Sequence, residues 1–387
     1  MQTPSISPPY RHFHRLAWLA VALALGVIVF GAFVRLSNAG LSCPDWPTCY
    51  GRAAWPSAAH DSLNRAAEAI RPVEPHKAWR EQLHRMLAGT LGLLVFALAL
   101  LATRRRPQGW WHVLGASVAV AIAIPLYMRG QHVAASALAV LGEAVLLAGA
   151  WRWSDGASRN SDFARVSTLT LALIVFQALL GMWTVTWLLK PVVVMGHLLG
   201  GLGTFALLAW TAWRATGAPI RLAEARQLRR WVVAGLVLLG AQIALGGWTS
   251  ANYAALACGN DFPRCVGRWW PPHDFQQGFV LWRGIGVDYE GGVLDGAARI
   301  AIQLAHRIGA AAVFAFVATF ALKLWRTPGL RGWSVGLLAL VCAQAGLGIA
   351  NVRLGLPLHI AVLHNAGAVL LLFALVTLLA RLRLPEA

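Results

Sequence analysis

Four histidines that recur at matching places in two halves of the chain are the residues most able to do chemistry. They are His84 and His197 in the first half and His306 and His364 in the second. His197 and His364 each follow the same pattern. A glutamine is followed by a glycine four residues later, and the histidine lies sixteen residues after that glycine. An imidazole in a lipid-embedded helix is costly and marks a functional site by default. The duplicated register suggests two pairs of axial ligands, and so two hemes.

Two other interpretations of these histidines are weaker. A single membrane histidine is often a hydrogen-bonded packing residue, but four in duplicated register disfavour that interpretation. A non-heme metal site is disfavoured because the chain lacks the carboxylates that usually complete one.

The composition indicates a polytopic membrane protein. The chain is 58% hydrophobic and 12% charged, and a soluble domain carries about twice that charged fraction. Apolar runs near the ~20 residues needed to cross a bilayer recur along it. The ten predicted spans cover about 14–35, 82–103, 110–128, 132–152, 166–187, 190–213, 230–250, 298–322, 333–352 and 357–380.

The net charge of +18 reports membrane topology rather than nucleic-acid binding. The basic residues collect in short loops between spans, as the positive-inside rule predicts. We therefore expect both termini in the cytoplasm. The two long loops, 36–80 and 251–297, then lie on the other side of the membrane.

An internal repeat divides the chain into two related units. Gly31 precedes Cys43 by twelve residues, and Gly246 precedes Cys258 by twelve. The two histidines of the first half are 55 residues further apart than those of the second. That excess is the size of a helical hairpin, which we place at 110–152, outside the first bundle and without catalytic residues. The predicted units, each of four helices, are 1–213 with the hairpin and 214–387.

Glu81 lies three residues before His84, on the same helical face one turn earlier. It is either an acid favoured by the helix dipole or a carboxylate at the heme edge that moves protons or stabilises a cationic intermediate. The second half has no acid at the equivalent position, because Ile302 and Gln303 precede Leu304-Ala305-His306. This asymmetry suggests chemistry in the first half and a permanent cofactor in the second. We expect His84 at the outer end of its span and the other three histidines about two turns in.

Arginines and cysteines accompany both histidine pairs. Arg85 and Arg307 follow their histidines directly and either bind heme propionates, which suit guanidinium geometry, or snorkel to the interface. Each long loop holds two cysteines in a compartment where disulfides persist. The cysteines pair as Cys43 with Cys49 and Cys258 with Cys265. Both pairs are candidates for structural disulfides, and the first pair is alternatively redox-active. Zinc is disfavoured because the spacing is not Cys-x-x-Cys.

Taken together, these motifs resemble the heme A synthases of the proteobacterial type. The strings that carry the resemblance run in family order from residue 31 almost to residue 367. They are Arg35-Leu-Ser-Asn-Ala-Gly-Leu-Ser-Cys-Pro-Asp-Trp-Pro-Thr-Cys49, Glu81-Gln-Leu-His-Arg85, Gly181-Met-Trp-Thr-Val-Thr186, His197-Leu-Leu-Gly-Gly201, Leu245-Gly-Gly-Trp-Thr-Ser-Ala-Asn-Tyr253, His306-Arg-Ile-Gly309 and His364-Asn-Ala-Gly367.

The resemblance implies an all-α polytopic membrane protein with two pseudo-twofold-related four-helix bundles. The family normally has eight spans, so the hairpin at 110–152 is a departure. The implied reaction oxidises the C8 methyl group of heme O to a formyl group by way of heme I. The implied site residues are His84 and His197 for the substrate heme, with Glu81 alongside as catalytic residue, and His306 and His364 for a heme b cofactor.

The resemblance also implies partners and a location. Heme O is the substrate, a heme O synthase supplies it, and the cytochrome c oxidase assembly machinery uses the product. The electron donor is unidentified, and assembly into a homo-oligomer stays open. The implied location is the bacterial inner membrane, with the cysteine loops in the periplasm.

Two alternatives remain open at this stage. A di-heme b-type electron carrier fits the histidines equally well, but it fits Glu81 and the cysteine loops less well. An outer-face thiol–disulfide oxidoreductase fits the loops but leaves the four histidines unexplained.

Overall fold

The computed structural model describes residues 12–153 and 163–385, which are mainly helical and almost without strands. Ten helices in this part of the chain are long and apolar enough to cross a membrane. This confirms the predicted all-α polytopic class. The helices are α1 (Phe13–Leu36), α2 (Arg65–Ile70), α3 (Pro75–Thr103), α4 (Gly109–Met128), α5 (His132–Arg152), α6 (Ala164–Thr186), α7 (Pro191–Thr216), α8 (Ala225–Ala251), α9 (Phe275–Gly278), α10 (Gly296–Trp325), α11 (Arg331–Arg353) and α12 (Leu358–Arg381). Only α2 and α9 are short, and both lie in the long loops.

The start of α3 differs from the prediction and changes the position of His84 within its helix. The helix begins at Pro75, a residue suited to the first helical position, whereas the apolar run begins seven residues later. Its polar first turns are held under the adjoining loop, where Ala78 and Glu81 are buried. His84 therefore lies nine residues into its helix, much as His306 lies ten residues into α10. The predicted start at about residue 82 is therefore wrong, and the depth of His84 in the membrane stays a prediction.

Eight of the spanning helices form two rings of four. In the first ring, α1 and α6 each pack against both α3 and α7. In the second ring, α8 and α11 each pack against both α10 and α12. The rings meet where α7 packs on α8 and α12, and where α1 packs on α12. Equivalent helices of the two halves therefore occupy equivalent places.

The remaining two spans, α4 and α5, form a hairpin on the first ring. They pack chiefly on each other, with α4 also on α3 and α5 also on α6. The hairpin thus lies on the outside of the side formed by α3 and α6. The four histidines lie on other helices.

Small residues allow the helices of the core to approach closely. The buried face of α1 carries Ala17, Ala20 and Ala24 at helical spacing. Between lipid-embedded helices such contacts contribute van der Waals packing, since lipid supplies no hydrophobic drive for association. Helical hydrogen bonds within each span satisfy the backbone polar groups of its interior turns, as a bilayer requires.

The two long loops meet at one end of the bundle, which we call the cysteine face (residues 37–74, 187–190 and 252–295). Nη2 of Arg71 in the first loop lies 2.8 Å from Asp288 and 2.6 Å from Glu290 in the second. The backbone N–H of Tyr289 donates to the carbonyl of Leu188 at 3.1 Å. At the opposite end, two short strands pair in parallel. They are β1 (Ile220–Arg221) and β2 (Leu382–Arg383).

Candidate functional site

Each repeated histidine packs directly against a glycine of a neighbouring helix. A Cβ atom added at any of these glycines would stand 2.7 to 3.3 Å from Cε1 of the imidazole. At Gly31 a Cβ would force the imidazole to move, and at the other three glycines the imidazole would have to give by a few tenths of an ångström. Glycine therefore lets each ring lie directly on the helix backbone. The four pairs, with the distance from the added Cβ to Cε1, are Gly31 and His84 (2.7 Å), Gly181 and His197 (3.3 Å), Gly246 and His306 (3.2 Å), and Gly348 and His364 (3.1 Å).

The two histidines of each half come from opposite corners of one ring. His84 on α3 is close enough to His197 on α7 for the two imidazoles to interact electrostatically. The same holds for His306 on α10 and His364 on α12. All four are half-buried.

These residues fit a heme in each ring. In the part of the chain that the structure describes, Nδ1 of His84 is buried without a hydrogen-bond partner. No group of three or more His, Cys, Asp or Glu residues that could hold a metal ion is found among the described residues. Two imidazoles on opposed helices suit the two axial positions of a heme iron, a cofactor that helix-bundle cores hold in this way.

The carboxylate of Glu81 is buried and fully engaged by groups of the chain. The residue is 4% exposed. Oε1 accepts from Nη2 of Arg85 at 2.5 Å. Oε2 accepts from the backbone N–H of Cys43 at 2.8 Å and from the hydroxyl of Ser42 at 3.1 Å. This fixes the carboxylate one turn from His84 and joins α3 to the first cysteine loop.

Gln303 occupies the position equivalent to Glu81 in the second ring. It is likewise 4% exposed, and among the described residues its Oε1 has no hydrogen-bond partner. An amide thus replaces a carboxylate of nearly the same shape. At this position the first half carries a carboxylate and the second half a neutral amide.

Arg85 and Arg307 fasten the cysteine loops to their helices. Each guanidinium donates to several backbone carbonyls of the loop beside it. The carbonyls are those of Cys43, Asp45 and Thr48 for Arg85, at 2.7 to 2.9 Å, and those of Asp261, Pro263 and Arg264 for Arg307, at 2.9, 3.4 and 2.8 Å. Binding of heme propionates by these arginines stays a prediction.

Both predicted cysteine pairs are disulfide-bonded, Cys43 with Cys49 and Cys258 with Cys265. All four cysteines are buried. The first disulfide lies beside the candidate site, because the N–H of Cys43 is bonded to Glu81. Redox activity of this pair stays a prediction.

The two disulfide loops are built alike around an aspartate. Oδ2 of Asp45 accepts from the N–H of Gly51 at 2.7 Å, and Oδ2 of Asp261 accepts from the N–H of Gly267 at 2.7 Å. Burial raises the pKa of Asp45, but hydrogen bonds from the Thr48 hydroxyl and the N–H groups of Gly51 and Tyr50 outweigh it. The pKa is therefore held below its ordinary value.

Sequence reasoning missed one residue beside the second histidine pair and one on the cysteine face. Gln242 reaches the turn of α10 that carries His306, and its spacing of four residues from Gly246 could have revealed it. Lys190, 1% exposed, lies with Nζ 3.3 Å from the ring centre of Trp282. That lysine contact joins residues distant in sequence, and no local pattern signals it.

The chain matches a sequence model of the family described as cytochrome oxidase assembly protein over residues 14–376. It is 36% identical to a heme A synthase of Shewanella oneidensis over 372 residues, covering 94% of this chain and 96% of that protein. It is 27% identical to a heme A synthase of Caulobacter vibrioides, covering 95% and 96% of the two chains. It is 28% identical to a heme A synthase of Methylobacterium nodulans, covering 91% and 86%.

Proposed function

This chain belongs to the cytochrome oxidase assembly protein family, and on that premise we propose that it is a heme A synthase, as its relatives are named. It is an oxidoreductase of heme A biosynthesis in a bacterial membrane. Its reaction oxidises the C8 methyl group of heme O to a formyl group by way of heme I. The observation that carries the proposal is the pair of opposed histidines in each ring, with a buried carboxylate beside only one pair.

We base the proposed roles of the two rings on the difference between them. His84 and His197 hold the substrate heme O, because Glu81 stands beside that pair. His306 and His364 hold heme b, because Gln303 gives that ring no charged group at the same place. When bound, heme b supplies one-electron transfer, while the protein supplies binding and orientation.

The residues of the first ring position the substrate and stabilise charge. The glycines behind His84 and His197 fix how far each imidazole can retreat from the ring centre. Glu81 is held by Arg85, Ser42 and Cys43, so its negative charge is oriented before the substrate binds. A preorganised charge of this kind stabilises positive charge that develops on a nearby group, and its oxygens accept protons released as the methyl group is oxidised.

The orientation in the membrane follows from the charge distribution. The loops at the end opposite the cysteine face are rich in arginine, which favours the cytoplasmic side. The cysteine face then lies in the periplasm, with both termini in the cytoplasm. A heme O synthase delivers the substrate, and the product serves cytochrome c oxidase assembly.

Chromatography of extracted hemes tests the proposal. The protein is co-expressed with a heme O synthase, as wild type, as Glu81→Ala and as the matched control Gln303→Ala. We expect heme A or heme I together with heme b from the wild type and the control. Glu81→Ala should retain heme O and heme b but make little product.

Other outcomes would overturn the assignment. Heme b and unreacted heme O alone from a well-folded wild type would indicate a di-heme electron carrier. Normal heme A output from Glu81→Ala would remove the proposed role of the carboxylate.

A further inference from the structure

Two of the histidines have a direct partner beyond their glycine. A glutamine four residues before that glycine reaches across to the histidine's helix. Nε2 of Gln242 donates to the backbone carbonyl of His306 at 3.0 Å and lies 3.0 Å from its Nδ1. Nε2 of Gln344 donates to the backbone carbonyl of His364 at 2.9 Å and lies 3.5 Å from its Nε2.

A second glycine, three residues after the histidine, makes room for each amide. A Cβ atom at Gly309 would overlap Oε1 of Gln242, and one at Gly367 would overlap Oε1 of Gln344. We call each arrangement of glutamine, histidine and following glycine a glutamine lock. The glutamine amide fills the space that a side chain at the following glycine would take. Its hydrogen bond to the carbonyl of the histidine ties that helix turn to the neighbouring helix.

A third lock surrounds His197. Nε2 of Gln177 lies against Gly200, so closely that a Cβ there would overlap it. This nitrogen has no acceptor among the described residues. Half a turn of the amide exchanges its nitrogen and oxygen and would place Oε1 against the following glycine, as in the other two locks.

His84 has no lock. Val27 stands four residues before Gly31, and Leu87 stands three residues after His84. Neither an amide nor the space for one is present. This turn of α3 is instead tied to the first disulfide loop through Glu81 and Arg85, which precede and follow the histidine.

We propose that Gln177, Gln242 and Gln344 are positioning residues that fix their histidines as permanent axial ligands, and that His84 is the ligand that exchanges when heme enters and leaves. The inference rests on the proposed function, because it requires a heme in each ring. A residue that orients a metal-binding imidazole typically changes metal affinity by about 10- to 100-fold. A ring with two locked ligands retains its heme, as a cofactor site must. A ring with one unlocked ligand can release its product.

The first test removes a lock from the second ring. Gln344→Met keeps the length of the side chain and removes its hydrogen bonds. We expect the ferrous heme b of this variant to bind carbon monoxide, and its affinity for heme to fall by about tenfold or more. Wild type and Gly346→Ala, a change on the same helix with no atom within 4 Å, should keep a ferrous heme b that does not bind carbon monoxide.

A double-mutant cycle separates the lock from simple packing. Gly367→Ala displaces the amide of Gln344 and should reproduce the effect of Gln344→Ala. The double variant should be no worse than Gln344→Ala alone, because both changes break one interaction. Additive losses would show that the glycine acts for another reason and would contradict the lock.

The second test installs a lock at His84 through Val27→Gln with Leu87→Gly. Transfer of the first-ring heme to apomyoglobin should slow by about tenfold relative to Leu87→Gly alone. Equal rates in a protein that keeps its heme b would overturn the assignment of His84 as the exchanging ligand.

Ferrous heme b that stays inert to carbon monoxide in Gln344→Met would overturn the locks. A well-folded wild type that holds no heme would instead refute the proposed function, and this inference with it.

Discussion

Gly31 approaches His84 more closely than the other three glycines approach their histidines. The Cβ that alanine would add at Gly31 stands 2.7 Å from Cε1 of the imidazole, against 3.1 to 3.3 Å in the other pairs. The histidine without a glutamine lock is therefore the one pressed hardest onto a helix backbone. Its position depends on α1 behind it and on the Glu81 and Arg85 network beside it.

Substitution of Gly31 should cause selective loss of the heme bound in the first ring. Gly31→Ala forces His84 away from α1, so we expect loss of most of the first-ring heme while heme b remains. The number of hemes per protein, from absorption spectra of pyridine extracts, measures this. Gly26→Ala, on the same helix with no atom within 4 Å, should keep both hemes, and Gly348→Ala should lose heme b instead. Equal losses from both rings in Gly31→Ala would contradict the separation of the sites.

Removal of Arg85 should cost more stability than removal of Arg307. Arg85→Met leaves the buried carboxylate of Glu81 without its cation, and breaking a buried ion pair from one side costs about 3 to 5 kcal/mol. Arg307→Met removes a similar loop contact, but its ring has Gln303 at the equivalent place. Thermal unfolding in detergent compares the two. Glu81→Gln combined with Arg85→Met should recover part of the loss, and similar losses in both single variants would argue against the ion pair.

Acid should loosen the first disulfide loop through Asp45. Because the folded-state pKa of Asp45 lies below its ordinary value of 3.8, its contribution to stability is complete above that value and is lost as pH falls through the folded pKa. Reduction of Cys43–Cys49 by a phosphine, which acts at acid pH, should therefore accelerate as the pH drops below about 4. Asp45→Asn should react rapidly throughout, and Asp261→Asn should accelerate only the second disulfide. An unchanged pH dependence in Asp45→Asn would show that another group controls the loop.

The hairpin carboxylate should be dispensable. Oε2 of Glu143 in α5 is buried without a hydrogen-bond partner among the described residues. Glu143→Gln and Glu143→Leu should keep both hemes and normal heme A output. Glu143→Leu should also stabilise the protein by about 1 kcal/mol, because an unsatisfied buried polar group is removed. Thermal unfolding and heme chromatography measure the two effects, and a fall in output would show that the hairpin takes part in the reaction.

Spacing along the chain predicted the features that one helix or one repeat can encode. Ten apolar runs gave the ten spanning helices because each must satisfy its backbone within the bilayer. The repeated distances to His197 and His364 gave the paired histidines. The start of α3 escaped the prediction because its first turns are polar and do not continue the apolar run, although the helix begins at Pro75.

The sequence by itself determined the spans, the disulfide pairs, the four histidines and the single acid at Glu81, since each depends on residue type and local spacing. The tertiary structure alone decided which groups meet across helices. It brought Arg85 onto the loop carbonyls, placed Gly31 behind His84, and set Gln242 against Gly309. These contacts join helices distant in the chain. They depend on how closely two backbones approach, which no local pattern records.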